Sequence, residues 1–81
     1  MKYIVYLIKS IEEPNIVYVG FTTNLAQRLA THNEGKSIHT SKFGSWELVM
    51  YMVFKDKIKA LNFEKYLKSH AGRAFCAKRF L

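Results

Sequence analysis

Eighty-one residues with 49% hydrophobic content make one small domain with a real core, and five Tyr, six Phe and one Trp exclude a disordered chain. The single cysteine, Cys76, excludes an intrachain disulfide and a cysteine-only zinc site, and it fits a reducing, cytoplasmic setting. Thirteen Lys and Arg against six Asp and Glu, a formal +7, point to a polyanion, nucleic acid ahead of a merely solvated surface. The first element is "KYIVYLIKS", a predicted strand from Tyr3 to Lys9. It is apolar on both alternations, so both of its faces are expected to be covered. It is too short for a membrane span or a leader, and no membrane partner is expected. Pro14 and Asn15 break "IEEPN" into a turn. "IVYVGF" is a second, shorter strand, antiparallel to the first. Gly20 marks its end, or a place where another backbone comes close. Thr22 and Thr23 are candidate caps for the helix that follows, and Asn33 and Gly35 stop it.

"KSIHTSKFGS" is a polar, basic loop. "WELVMYMVF" is a third strand, again apolar on both alternations and read as covered on both faces. Asp56 caps a second helix, Lys57 to about His70, and Gly72 ends it. A short basic helix, about Arg73 to Leu81, closes the chain. From Lys55 onward eight basic residues face only Asp56 and Glu64. The order β-β-α-β-α-α, with no linker or repeat, predicts a single α/β (α+β) domain over residues 1–81. Its three-stranded antiparallel sheet is flanked by helices on both faces, with the first strand in the centre.

Both main helices carry charge where apolar residues belong. In the first, Leu25 and Leu29 mark the buried side, and Arg28 and His32 fall between them at roughly 100° per residue. In the second, Ala60, Leu61, Leu67 and Ala71 lie within roughly 60° of Glu64, with Lys57 and Lys68 flanking the same face. An unpaired carboxylate in a dry stripe costs several kcal/mol, so Glu64 needs a partner: Arg28, a lysine, a metal ion or water. Singly, each residue has a bland reading. Arg28 snorkels, His32 sits near a helix end, and Tyr6 and Tyr18 are ordinary strand residues. Together they supply what phosphodiester hydrolysis requires. A base near the phosphate deprotonates water, a cation faces the developing charge, and a carboxylate holds a divalent metal.

The pattern resembles the GIY-YIG nuclease family, whose domain occurs in intron-encoded homing endonucleases and in the incision subunit of nucleotide excision repair. It is most similar to the short stand-alone bacterial members. "IVY" (Ile4, Val5, Tyr6) stands at the first signature triplet and "YVG" (Tyr18, Val19, Gly20) at the second. "NLAQRLATHNEGKS" matches the arginine-bearing helix, and "KALNFEKYLKS" the metal-site helix. The similarity runs to about Arg73.

The resemblance implies an endonuclease that hydrolyses phosphodiester bonds with one Mg²⁺ or Mn²⁺ ion, on DNA ahead of RNA, leaving a 5′-phosphate and a 3′-hydroxyl. Tyr6 and Tyr18 match the signature tyrosines, Arg28 the arginine that contacts the scissile phosphate, and Glu64 the single metal-binding carboxylate. His32 matches a position that supports the base or contacts phosphate in some members. Tyr6 is the expected base, with Tyr18 second. Gly20, Lys36, His39 and Lys42 are the expected nucleic-acid contacts. Three departures stand out: Ile4 replaces the first glycine, Phe21 stands where some members carry lysine, and no asparagine follows Asn62. A nucleic-acid-binding module that has lost turnover is the alternative, and a structural domain with a Glu64–Arg28 salt bridge is a third reading.

Overall fold

The computed structural model describes residues 1–37 and 40–81. Strand β1 (Tyr3–Ser10) lies at the centre of a three-stranded antiparallel sheet, between β2 (Val17–Thr22) and β3 (Trp46–Phe54). Tyr6 stands opposite Gly20 on β2 and Tyr51 on β3. A register shift in the β1–β3 ladder falls between Leu7 and Ile8.

The two faces of β1 build two cores. On one face Tyr6 and Ile8 pack with Trp46 against Leu25 and Leu29 of helix α1 (Leu25–Asn33). On the other, Val5 and Leu7 pack with Val19 against Ala60 and Leu67 of α2 (Lys57–Lys68) and Cys76 of α3 (His70–Arg79). The side chains of β1 alternate between these clusters, which is why its sequence is apolar at both parities.

The expectation that β3 is covered on both faces is not met. Tyr51 is 54% exposed and Val53 45%, beside half-buried Val49 and Met50. The cause is coverage: β3 is an edge strand, and the nine residues of α1 reach the Trp46 end of the sheet only.

Caps also differ. Asn24, rather than Thr22 or Thr23, caps α1, its side chain accepting from Gln27 N at 3.1 Å. Thr22 is spent on the preceding turn, where its hydroxyl bonds both N and O of Asn24. Asp56 caps α2 as expected, accepting from the amides of Ile58 and Lys59. That helix stops at Lys68, two residues early, because the Ser69 hydroxyl starts α3 by accepting from Gly72 N. Gly72 therefore does not end α2. It lies in the first turn of α3, where a Cβ would overlap the Tyr66 carbonyl. Among the described residues no helix is long and apolar enough to cross a membrane.

Candidate active site

The end of the sheet under α1 is polar inside. Tyr6 and His32 are both fully buried. The Tyr6 hydroxyl lies 2.9 Å from His32 Nε2, and Arg28 Nε donates to the same oxygen at 3.2 Å. On the far side of the imidazole, Nδ1 meets Thr40 Oγ1 at 2.7 Å. Thr40 is held in turn by Trp46, whose indole Nε1 donates to the Thr40 carbonyl at 3.1 Å. Trp46 N donates to the side chain of Asn33, the last residue of α1, so the start of β3, the loop and the helix end are tied together. The spacing of Arg28 and His32, one helical turn apart, delivers both side chains to one phenol.

Gly20 is what lets the phenol lie there. A Cβ at position 20 would overlap the Tyr6 hydroxyl and ring carbon. The close approach expected at this glycine is thus made by a side chain rather than by backbone. Gly20 is buried beneath Tyr6, so its part is to admit the phenol, and nothing in its surroundings makes it a nucleic-acid contact.

Tyr18 stands beside the cluster, its ring 6.4 Å from that of Tyr6 and 5.2 Å from His32, centroid to centroid. Glu64 approaches from α2. Its side chain is 19% exposed, so it is neither dry nor orphaned, and Lys68 Nζ meets its Oε2 at 3.1 Å. The same ammonium lies 5.9 Å from the Tyr18 ring centroid. Of the two protein partners left open by the sequence, Arg28 and a lysine, the one that meets Glu64 among the described residues is this lysine. Arg28 makes no ion pair with a carboxylate among the described residues, which removes the Glu64–Arg28 salt bridge.

Electrostatics follow from burial and from Arg28. Burial pushes the Tyr6 phenol above its ordinary value, the Arg28 hydrogen bond pulls it down, and the charge of Glu64 adds a smaller upward push. His32 is held below the ordinary histidine range, first by burial and then by the Arg28 guanidinium, so it is neutral. Arg28 is held all the more firmly in its charged form by the Tyr6 hydroxyl.

Glu64 suits a hard divalent cation. One carboxylate with an unused Oε1 is the donor set that Mg²⁺ accepts when water and phosphate oxygens complete its shell. Among the described residues no three His, Cys, Asp or Glu side chains cluster, so a closed all-protein cage is not offered.

The other expected contacts are scattered. Lys36 is exposed and paired with Glu34 at 2.9 Å. Lys42 is exposed, its ammonium 5.2 Å from the Phe43 ring centroid. His39 lies outside the described residues. Two participants were not singled out from the sequence as site residues: Thr40, which carries no pattern at all, and Lys68, whose i,i+4 spacing from Glu64 was the available signal.

The GIY-YIG catalytic domain matches residues 2–78. A structure-specific endonuclease subunit SLX1 homolog of Giardia intestinalis is 38% identical over 70 residues, 82% of this chain and 19% of that protein. The chain thus spans less than a fifth of that relative's length. A UPF0213 protein of Lactiplantibacillus plantarum is 38% identical over 76 residues, 90% of this chain and 72% of that protein. The solution structure of the UPF0213 protein of Bacillus halodurans superposes with a TM-score of 0.58 at 26% identity, covering 96% of this chain and 84% of its own. With the match running through both tyrosine triplets, the Arg28 helix and the Glu64 helix, the chain belongs to the GIY-YIG catalytic-domain family.

Proposed function

We propose that this chain is a metal-dependent endonuclease that hydrolyses phosphodiester bonds, in DNA ahead of RNA, with Tyr6, Tyr18, Arg28, His32 and Glu64 as its catalytic set. The observation that carries the reading is the buried phenol of Tyr6 between the Arg28 guanidinium and the His32 imidazole. The name of the SLX1-type relative, a structure-specific endonuclease subunit, supports it.

The hydrogens in the cluster can be counted. Arg28 Nε, the Tyr6 hydroxyl, neutral His32 and the Thr40 hydroxyl bring four hydrogens to three contacts. With Tyr6 protonated all three contacts are filled: Arg28 Nε–H donates to the phenol oxygen, the phenol donates to Nε2, and Nδ1–H donates to Thr40 Oγ1, whose own hydrogen turns elsewhere. With Tyr6 ionised the same contacts are filled from the other direction. Thr40 donates to Nδ1, while Nε2–H and Arg28 Nε–H both donate to the phenolate. The network accepts either form of Tyr6, with His32 as the Nδ1–H tautomer beside the phenol and as the Nε2–H tautomer beside the phenolate. Burial works against the phenolate, so it is expected to form only as pH rises. The phenolate takes the proton from the attacking water. Arg28, with no carboxylate partner among the described residues, faces the charge that develops on phosphorus. Glu64 would hold one Mg²⁺ or Mn²⁺. Such an ion would supply positive charge for the leaving oxygen, and its presence on Glu64 would offset the upward push of that carboxylate on Tyr6. His32 and Thr40 orient the phenol.

One observation favours the second reading, a binding module without turnover: the Lys68 ammonium already neutralises Glu64. The two part on a panel of labelled DNA and RNA substrates assayed with Mg²⁺, Mn²⁺ and EDTA. Metal-dependent cutting supports the enzyme. Salt-sensitive binding without cutting under any condition selects the module.

A further inference from the structure

A groove of about 550 Å³ runs between the free edge of β2 and the α2–α3 pair. Its size falls within the range of about 300–1,000 Å³ that holds small organic ligands. The floor is apolar and buried, formed by Leu7, Val19 and Leu67. Lys68 and Arg73 line it from the exposed side. Arg73 has no carboxylate partner among the described residues. The wall is a strand edge. Ser10 N donates to Ile16 O, and the same register pairs Ile8 with Tyr18. By the alternation of an antiparallel ladder, the backbone groups of Val17 turn away from β1, toward the groove side. Tyr18 lines the groove and also stands in the catalytic cluster.

We infer that this groove is a subsite for one unpaired nucleotide next to the scissile phosphate. The inference rests on the endonuclease reading for its neighbour, though not for its chemistry. An apolar floor takes the flat face of a base, the strand edge offers hydrogen bonds to the rim of that base, and Arg73 takes the flanking phosphate, beside the Lys68 ammonium that Glu64 holds at the mouth. A paired, stacked base does not reach such a floor, so the subsite recognises a single-stranded nucleotide. Charge decides against an apolar peptide strand as occupant. The wall suits either, but the Arg73 guanidinium at the mouth, without a carboxylate partner among the described residues, suits an anion.

The test is titration of thymidine 3′,5′-bisphosphate into the full chain in EDTA, followed by backbone amide shifts. The bisphosphate is expected to shift Val17, Val19 and Ala77, and to bind about tenfold or more tighter than inorganic phosphate, the increment of one stacked base. Ala77→Trp fills the groove from α3 and should abolish the preference over phosphate. Arg73→Glu, on an exposed side chain that leaves the fold intact, should weaken the bisphosphate about tenfold or more. Equal affinity for phosphate and bisphosphate, shifts outside the groove, or unchanged binding by Arg73→Glu overturns the subsite. So does an uncharged extended peptide that shifts these amides when the bisphosphate does not. Because no cleavage is read, the outcomes separate. Bisphosphate binding in a chain that cuts nothing keeps the subsite and removes the enzyme, and cutting without bisphosphate binding does the reverse.

Discussion

The Tyr6 hydroxyl and His32 Nε2 lie 2.9 Å apart in a site where neither side chain is exposed. A polar pair of that kind is stable only while every member has its partner. Neutral His32 is therefore a stability determinant as well as a site residue. Its folded pKa lies below the unfolded value of about 6.5, so below that pH the unfolded chain binds the extra proton. The stability contributed by neutral His32 is fully present above about pH 6.5 and is lost as pH falls through the folded pKa. Thermal melts from pH 7.5 to 5 should fall on the acid side for wild type and fall less steeply for His32→Gln.

Gly20 sets a second expectation. Ala at this position must push the Tyr6 ring off the Arg28–His32 contacts. Overpacking of this kind costs about 1–3 kcal/mol. Gly20→Ala should lower the unfolding free energy by that amount in urea titrations and reduce cleavage more than binding, since the phenol moves and the basic surface does not.

Glu64 separates function from folding. Its partner is an exposed lysine one turn along the same helix, an arrangement worth about 0.3–0.5 kcal/mol. A dry buried pair would cost about 3–5 kcal/mol to break, and 19% exposure of the Glu64 side chain argues against that larger figure. Glu64→Gln in EDTA should melt within about 1–4 °C of wild type, on the order of ΔΔG/ΔS for so small a change. In Mn²⁺ it should bind nucleic acid and fail to cut it. A large loss of stability in EDTA would make Glu64 a structural anion.

Much of this was legible in the residues, and the failures share a cause. Arg28 and His32 between Leu25 and Leu29 read correctly as inward-facing, since a helix wheel follows from local geometry alone. The Asp56 cap and the span of β3 are likewise local. What a neighbour in space decides was not legible. Nothing within "WELVMYMVF" tells that α1 stops short of Tyr51 and Val53. Gly20 announced a close approach, yet only the register Tyr6↔Gly20 reveals that a phenol fills the gap. Thr40 is bound to His32 across a loop of no distinctive pattern. The Glu64–Lys68 pair had a local signal, but several partners satisfied the same requirement.

Surface charge sets a fourth expectation. If phosphates engage the basic residues of α2, α3 and the loop at Lys36 and Lys42, the logarithm of affinity should fall linearly with the logarithm of salt. The slope should be about −0.9 per duplex phosphate contacted. Lys36 begins paired with Glu34, so Lys36→Ala should change the slope less than Arg73→Ala, whose guanidinium has no carboxylate partner among the described residues. A flat salt response would remove nucleic acid as the partner.

The central claim is that Tyr6 is the base, and single-turnover cleavage with Tyr6→Phe in Mn²⁺ tests it most directly. The variant keeps the ring over Gly20 and deletes the one oxygen that Arg28 and His32 share. Wild type should cut faster as pH rises from neutral into the alkaline range, because burial holds the phenol protonated at lower pH. Tyr6→Phe should cut about 10²–10⁴-fold more slowly, with its pH dependence lost and its affinity for nucleic acid unchanged. Cleavage by Tyr6→Phe at the wild-type rate, with the same rise toward alkaline pH, would contradict the account and turn the search for the base to Tyr18.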